Sequence, residues 1–180
     1  LKSENGFGVG EFPDLKILAD WAKKTNISIL QILPINDTTA NYTWTDSYPY
    51  AAISVYALHP QYLSIEKLDF SLPDNLVKEY NTLKAKLNAL PLIDYEQMIS
   101  GKWNYVKAVF ELNKDKILKD RSFKKFIKDN EEWLLPYSAF CVQRDKYKTP
   151  NFNDWKTHKK YIAGKIAPFF TVKSKDFDTT

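Results

Sequence analysis

One strand-like run sets the limits on this chain's architecture. Residues 27–33 read ISILQIL and end at Pro34. A short run rich in isoleucine and closed by a breaker is typical of a strand buried on both faces of a parallel sheet. A helix is predicted just before it, because Pro13 and Asp14 suit a first turn and apolar residues follow at helical spacing. Helix and strand make one α/β step, yet no comparable strand signal follows, and one strand alone cannot form a sheet.

From residue 71 onward the pattern is helical. Residues 71–74 form a helix-start signature, and leucines follow at helical spacing as far as Pro91. A second helix is predicted after Asp94, because its spacing to Gln97 is that of a capping box. An apolar face then continues at helical spacing, which indicates that this second helix is long.

Two further helices are predicted before the pattern weakens. A short one covers residues 122–127, and another starts at Asn130, with Pro136 tolerated early in it. The chain is thus expected to be mostly α, in two parts. These are an α/β segment over residues 1–70 and a helical subdomain over residues 71–180.

The charge is unevenly divided between these parts. Residues 1–70 hold five lysines and eight acidic residues, a net of −3, so the rest carries +7 and the whole chain +4. Arg121 and Arg144 are the only arginines. Nucleic-acid-binding proteins usually rely on arginine for bidentate contacts to bases and phosphates. We therefore expect a solvated lysine-rich surface and no nucleic-acid partner.

The sequence lacks the residues for a disulfide, a Cys/His metal site and a phosphate-binding loop. The one cysteine, Cys141, cannot form a disulfide within the chain and is expected to be a buried structural thiol. With His59 and His158 as the only histidines, the chain has no Cys/His metal cluster, and we expect no metal and no cofactor. His59 is predicted to be a structural hydrogen-bond partner rather than a base. Residues 6–10 are glycine-rich but follow no predicted strand and precede no Lys-Ser/Thr pair, so they do not form a phosphate-binding loop.

No membrane-spanning or leader segment is predicted. No apolar run reaches the roughly 18 residues needed to cross a bilayer, and residues 1–6 have no apolar signal-peptide core. We therefore expect no membrane partner and a cytoplasmic location. Because the chain does not begin with Met, we also expect a processed or excised piece of a longer protein.

The informative segment is the long irregular loop over residues 35–62, which follows the predicted strand. Ligands bind at the carboxyl ends of strands in α/β sheets and barrels. A pyranose ring has apolar C–H faces that pack on aromatic rings, and hydroxyls that seek carboxylate, hydroxyl and amide partners. The loop offers both kinds of group: Tyr42, Trp44, Tyr48 and Tyr50 as aromatic faces, and Asp37, Asp46 and Ser47 as acceptors.

Composition leaves two interpretations of this loop open, because its aromatics could bind a sugar or pin the loop to the core. Asp37 and Asp46 could also be a catalytic carboxylate pair. A retaining glycosidase holds two carboxyl groups about 5 to 5.5 Å apart on rigid supports. Two aspartates on one irregular loop do not obviously meet that demand, so we assign no catalytic residue in this chain.

Ordered motifs along the chain resemble those of a known family. They are GVGEF at 8–12, QILPINDT at 31–38, WTDSYPY at 44–50, ALHPQYL at 57–63, DYE at 94–96 and WLLPYSAF at 133–140. Together they resemble the 4-α-glucanotransferases, the amylomaltase group of glycoside hydrolase family 77, over roughly residues 6–156. Glu11 stands where many members have Asp, and Tyr48 is inserted in what is often Asp-Ser-Pro-Tyr. Both variants suit the long form of the plant cytosol and some bacteria.

The resemblance implies a fold and a reaction. The family is built on a (β/α)8 barrel with helical insertions, so residues 27–33 would be the second strand and residues 71–160 an insertion before the third. These enzymes cleave an α-1,4-glucosidic bond through a covalent glycosyl-enzyme intermediate and pass the sugar to another glucan. Their nucleophile and acid/base residues lie on later strands, beyond Thr180.

The resemblance also implies binding roles within the loop. Ser47 and Tyr50 would contact the sugar on the acceptor side, and Asp46 would position the loop. Trp44 is a further candidate for sugar contact. The expected partners are maltose, a maltodextrin or a branched α-glucan, together with the remainder of the parent chain.

The fragment interpretation has two rivals. Since a barrel of this type needs about 250 residues, we expect a partial barrel with its insertion, inactive by itself. A non-catalytic carbohydrate-binding or helical interaction module would instead be complete as it stands. A lysine-rich nucleic-acid adaptor would show salt-dependent binding to RNA or DNA.

Overall fold

The computed structural model describes residues 2–70 and 72–170. Five α-helices occur in this part of the chain: α1 (Phe12–Lys24), α2 (Asp74–Ala89), α3 (Tyr95–Lys119), α4 (Arg121–Tyr147) and α5 (Ala163–Ile166). Short 3-10 turns connect some of them. The mostly α character expected from the sequence is therefore confirmed for the described residues.

The predicted strand does not form. Residues 27–33 have no regular secondary structure, and Ile29 and Leu33 are 83% and 57% exposed. Among the described residues the one β contact is an isolated antiparallel bridge between Asn36 and Leu58. A strand exists only through hydrogen bonds to a neighbouring strand, and the described residues supply none. They form no barrel strand, so the partial barrel stays a proposal.

A second difference concerns the helices after residue 120. The short helix and the separate helix predicted there are one 27-residue helix, α4, with Pro136 in its interior. Asp120 caps it by accepting the Phe123 N–H at 2.7 Å. No glycine or proline separates the two apolar stretches, and Lys128, Glu131 and Glu132 between them are good helix formers, so the helix continues.

The chain divides into two compact units, Leu1–Ile117 and Leu118–Thr180. The division predicted at residues 70 and 71 rests on the change of sequence pattern there, and it stays a prediction. Physically, α2 and most of α3 pack with the preceding residues. The core of the first unit contains Phe7, Val9, Ile65, Tyr80, Leu87, Tyr95, Met98 and Ile99.

The glycine-rich N-terminal segment is part of this core. The Asn88 side chain accepts the Gly8 N–H at 2.8 Å and donates to the carbonyl oxygens of Glu4 and Gly6 at 3.0 and 2.9 Å. Gly8 has φ +76°, and a Cβ there would lie 2.7 Å from the Cβ of Leu87. Only glycine fits this close approach to α2 without strain.

A buried ion pair joins α3 to the start of α1. The Lys102 ammonium donates to Glu11 Oε1 at 2.7 Å and to the carbonyl oxygens of Gln61 and Leu63 at 2.6 and 2.7 Å. Burial lowers the pKa of Lys102, while the hydrogen bond and charge of Glu11 oppose that shift. Three acceptors match the three N–H donors of the ammonium group, which is what makes its burial tolerable.

The second unit has a small core of its own: Ala139, Val142, Ile166 and Phe169. Beside it, Trp155 is buried and donates its indole N–H to the Thr149 carbonyl at 2.9 Å. Its ring stacks on Tyr147 with centroids 6.1 Å apart. Cys141 is half-buried rather than buried, because it lies beside this core and not within it.

None of the helices described here is long and apolar enough to cross a membrane.

Candidate functional site

The candidate site is a loop folded around the Asp46 carboxylate. Asp46 is 4% exposed. Its Oδ2 accepts the backbone N–H groups of Ala40, Asn41 and Tyr42 at 3.0, 2.9 and 2.6 Å. Tyr42 takes a left-handed conformation, with φ 59°, that turns the chain about this oxygen. A single carboxylate therefore fixes the loop that leads into the 3-10 turn Trp44–Ser47.

The backbone of Asp46 is held from the other side by a buried imidazole. The Thr38 hydroxyl donates to the Asp46 carbonyl oxygen, and His59 Nε2 lies 3.4 Å from it. His59 Nδ1 accepts the Gln61 N–H at 3.1 Å, so in the neutral ring the proton sits on Nε2. The Tyr95 hydroxyl lies 3.2 Å from that Nε2.

These contacts confirm that His59 is a structural hydrogen-bond partner, as the sequence predicts. Burial lowers its pKa, against the opposing effect of the charges of Asp37 and Asp46. Burial also raises the pKa of Tyr95. Both groups are therefore neutral near pH 7, which suits a hydrogen-bonded support rather than a proton-transfer site.

Asp37 is also turned into the protein. It is fully buried, and its Oδ1 accepts the Thr39 N–H at 2.9 Å. Its backbone bonds to Ala57 and Ile53 at 2.8 Å each. Neither of the two predicted carboxylate acceptors is thus open to solvent. Over residues 2–70 and 72–170, no group of three His, Cys, Asp or Glu side chains is arranged to hold a metal ion.

The aromatic side chains of the loop face solvent. Trp44 and Tyr50 are 69% and 62% exposed, and Tyr48 is exposed beside Tyr50, with ring centroids 5.5 Å apart. Ser47 is exposed, and its hydroxyl donates to the Trp44 carbonyl at 2.6 Å, which leaves its oxygen able to accept. Tyr42 instead packs against the core. Tyr42 therefore fits the interpretation that the aromatics pin the loop to the core. The other three rings are exposed, as the sugar-binding interpretation requires.

Sequence reasoning did not connect the first turn of α3, with Tyr95 and Glu96, to this loop. Glu96, in the first turn of α3, accepts the Trp44 N–H through Oε1 at 2.8 Å. The adjacent Asp94 was predicted only as a helix cap, and it does accept the Gln97 N–H at 3.0 Å. No local sequence pattern predicts this contact, because Trp44 and Glu96 are 52 residues apart.

The geometry supports a binding surface of particular chemistry. It combines exposed aromatic faces with one hydroxyl on a loop that is rigidly held from beneath, which suits the faces and hydroxyls of a sugar. Asp46 lies under this surface with Oδ2 saturated by backbone donors, so the loop is preorganised. Contact of Trp44, Ser47 or Tyr50 with a sugar stays a prediction.

Comparison with known proteins finds one matching family model and several similar proteins. The family model described as 4-alpha-glucanotransferase, of glycoside hydrolase family 77, matches residues 1–176. The chain is 41% identical over 166 residues to 4-alpha-glucanotransferase DPE2 of Oryza sativa subsp. japonica, an alignment covering 92% of the chain and 17% of the rice protein.

Bacterial relatives match over a similar share of the chain. The 4-alpha-glucanotransferases of Chlamydia caviae and Chlamydia muridarum are 35% and 34% identical over 160 and 158 residues. These alignments cover 86% and 87% of the chain but only 28% and 29% of the relatives. The chain thus spans less than a third of the length of each of these three relatives. No solved structure matches it significantly.

Proposed function

Because the chain belongs to the 4-alpha-glucanotransferase family, glycoside hydrolase family 77, we propose that it is part of an enzyme that transfers α-1,4-linked glucosyl units between maltodextrins or larger glucans. The supporting observation is the preorganised loop with exposed Trp44, Ser47 and Tyr50. Transfer requires that the acceptor be held in a fixed position, which a surface on a rigidly held loop would provide. We expect the enzyme to act in the cytoplasm.

The proposed reaction is a retaining double displacement. A carboxylate of the parent enzyme attacks the anomeric carbon, the α-1,4 bond breaks, and a general acid protonates the departing oxygen O4, which becomes a 4-hydroxyl. The 4-hydroxyl of an acceptor glucan then attacks the anomeric carbon, returns the proton to that residue and releases the carboxylate. In this proposal the catalytic carboxylates lie outside the 180 residues, whose contribution is the binding of the acceptor.

Residues 27–33 are proposed to become the second barrel strand of the parent protein. Their apolar side chains are exposed although the run has the composition of a buried strand. A cavity of about 310 Å³ lies between α1 and this run, lined by Leu15, Leu18, Ile32 and Leu33 among others. Exposed apolar surface of this kind favours a packing partner, and the remainder of the parent chain is the partner we propose.

Tyr50→Ala in the full-length parent protein tests the acceptor site. We expect the KM for a maltodextrin acceptor to rise several-fold with little change in melting temperature, because the exposed ring binds sugar and supports no core. Tyr56→Ala is the matched control, since Tyr56 is equally exposed, at 63% against 62%, and lies outside residues 44–50. Parallel losses of melting temperature and activity in Tyr50→Ala would favour the packing interpretation.

The 180-residue chain alone tests where the catalytic groups lie. We expect no glucose release from maltose or maltotriose, while the full-length protein disproportionates both. Measurable release by the short chain would contradict the placement of the carboxylates. Cooperative melting together with a measurable glucan dissociation constant for the short chain, and no transfer by the full-length protein, would support the non-catalytic module instead.

A further inference from the structure

The second unit contains an aromatic cavity that the proposed reaction does not use. It has a volume of about 380 Å³, within the range of small-molecule sites. Its walls include Phe140, Gln143, Phe152, Trp155, Tyr161 and Phe169. All of these residues lie after residue 118, so the cavity belongs to this unit alone.

A buried amide lines this aromatic cavity. Gln143 is 2% exposed, and neither its Oε1 nor its Nε2 has a hydrogen-bond partner among residues 2–70 and 72–170. A primary amide offers two donors and an acceptor with two lone pairs. Buried polar groups are nearly always paired, because leaving them unpaired is unfavourable. An occupant that brings both a donor and an acceptor would satisfy this side chain.

Trp155, the other buried side chain of the wall with a polar atom, already has a partner for that atom. The Trp155 indole N–H donates to the Thr149 carbonyl at 2.9 Å, so what the indole can add to the cavity is apolar ring surface. The rings of Phe140 and Trp155 lie at 45° with centroids 5.5 Å apart. The cavity therefore combines apolar ring faces with one neutral, bidentate polar group. Lys159 and Lys160 also line it but are exposed to solvent.

We propose that the aromatic cavity is a further glucan-binding site, which takes one glucosyl unit of an α-glucan. The C–H faces of the sugar ring pack on the aromatic walls, and two neighbouring hydroxyls bond to the Gln143 amide, one as donor and one as acceptor. The aromatic rings and the amide carry no charge, and the two lysines that also line the cavity are exposed to solvent, so the buried part of the cavity suits a neutral sugar. The choice of a glucan rests on the proposed function, since the enzyme would meet long glucans.

Gln143→Leu in the full-length parent protein tests the site, with maltoheptaose as the probe in titration calorimetry. The leucine keeps the size of the side chain and removes the amide. We expect one class of maltoheptaose sites to weaken at least fivefold, while kcat for transfer from maltotriose is unchanged. Gln97→Leu is the matched control, because Gln97 is an exposed glutamine of α3 and should leave binding as in the wild type.

Tyr161→Ala keeps the proposal testable if the leucine variant does not fold. Tyr161 is a cavity wall that is 65% exposed, so its truncation should spare the core and still weaken the same class of sites. Wild-type maltoheptaose binding in both variants would overturn the cavity proposal and leave the transferase proposal standing. So would a melting temperature changed without any change in binding, since the cavity would then be a packing surface.

Two further outcomes separate this proposal from the proposed function. The wild-type protein could transfer no sugar while the Gln143→Leu variant still binds maltoheptaose more weakly than the wild type. That combination would contradict the transferase proposal and support the cavity proposal. Competition for the cavity by inorganic phosphate at the concentration of the sugar would overturn the assignment to a neutral glucan.

Discussion

At the scale of single residues, the candidate site depends on buried groups. Asp46 Oδ2 gathers three successive N–H groups, and His59 and Thr38 hold the carbonyl of the same residue. The exposed side chains that would meet a sugar make few contacts of their own. The position of the exposed surface is therefore set by the buried residues beneath it.

Asp46→Ala should loosen the loop. Removing the carboxylate leaves the N–H groups of residues 40–42 without their acceptor, which should lower the free energy of unfolding by about 2 kcal/mol. Asp46→Asn, which keeps one side-chain oxygen, should lose less. Urea unfolding of the full-length protein measures both, and equal stability of Asp46→Ala and the wild type would show that this oxygen does not hold the loop.

His59 should make stability depend on pH. Burial lowers its pKa below the unfolded value of about 6.5, so the unfolded state binds more protons and stability rises with pH. The contribution is complete above about pH 6.5 and is lost as the pH falls toward the folded pKa.

Melting temperatures between pH 5 and 8 test the His59 prediction. His59→Asn, which does not titrate and can still accept the Gln61 N–H, should flatten the dependence. His158→Asn is the control, because His158 lies in the second unit and is only half-buried. A slope that persists in His59→Asn would refute this origin of the pH dependence.

At the scale of elements, α3 organises the first unit. Its first turn supplies Tyr95 to His59 and Glu96 to the Trp44 N–H. Two turns further on, Lys102 reaches Glu11 and the carbonyls of Gln61 and Leu63. The helix that the resemblance assigns to an insertion therefore supports the loop on which sugar contact is predicted.

Lys102→Met should be strongly destabilising. Removal of the ammonium leaves Glu11 buried without its counter-charge, which typically costs about 3 to 5 kcal/mol. The double variant Glu11→Gln with Lys102→Met should recover part of that loss, because no buried charge remains.

Lys125→Met is the matched control for the buried pair. Lys125 pairs with Asp129 on the surface, with 76% of its side chain exposed, so its removal should change stability by no more than about 1 kcal/mol. Chemical unfolding of the three variants measures the difference. A Lys102→Met protein as stable as Lys125→Met would contradict the role given to the pair.

At the scale of the whole molecule, the exposed apolar residues 27–33 indicate that a packing partner is missing from the described residues. Residues 28–33 donate no backbone hydrogen bond to any part of the chain that the structure describes. In a barrel strand these N–H groups would pair with the neighbouring strands.

Hydrogen exchange tests whether residues 28–33 become a strand. We expect their amides to exchange rapidly in the 180-residue chain and slowly in the full-length parent, while the amides of α3 are protected in both. The α3 amides serve as the internal control. Rapid exchange of residues 28–33 in the full-length protein would argue against the second-strand proposal.

Helices were predictable where their signals are local. Pro13 and Asp14 mark the start of α1, Pro91 follows the end of α2, and Asp94 caps α3. The exception is α4, where the two helices predicted around residues 122–127 and from Asn130 are one continuous helix, because no glycine or proline separates them. The strand at residues 27–33 was wrong for the described residues, since apolar composition alone provides no pairing partner.

The sequence by itself determined the helical character, the aromatic content of the loop and, through its ordered motifs, the family. These features depend on residue types at short spacing along the chain, and such local patterns do not depend on tertiary packing. Only the tertiary structure decided that Asp46 faces inward, that Glu96 meets Trp44 and that Lys102 pairs with Glu11, 91 residues away. Such contacts form when packing brings distant segments within hydrogen-bond distance, and no local pattern encodes that approach.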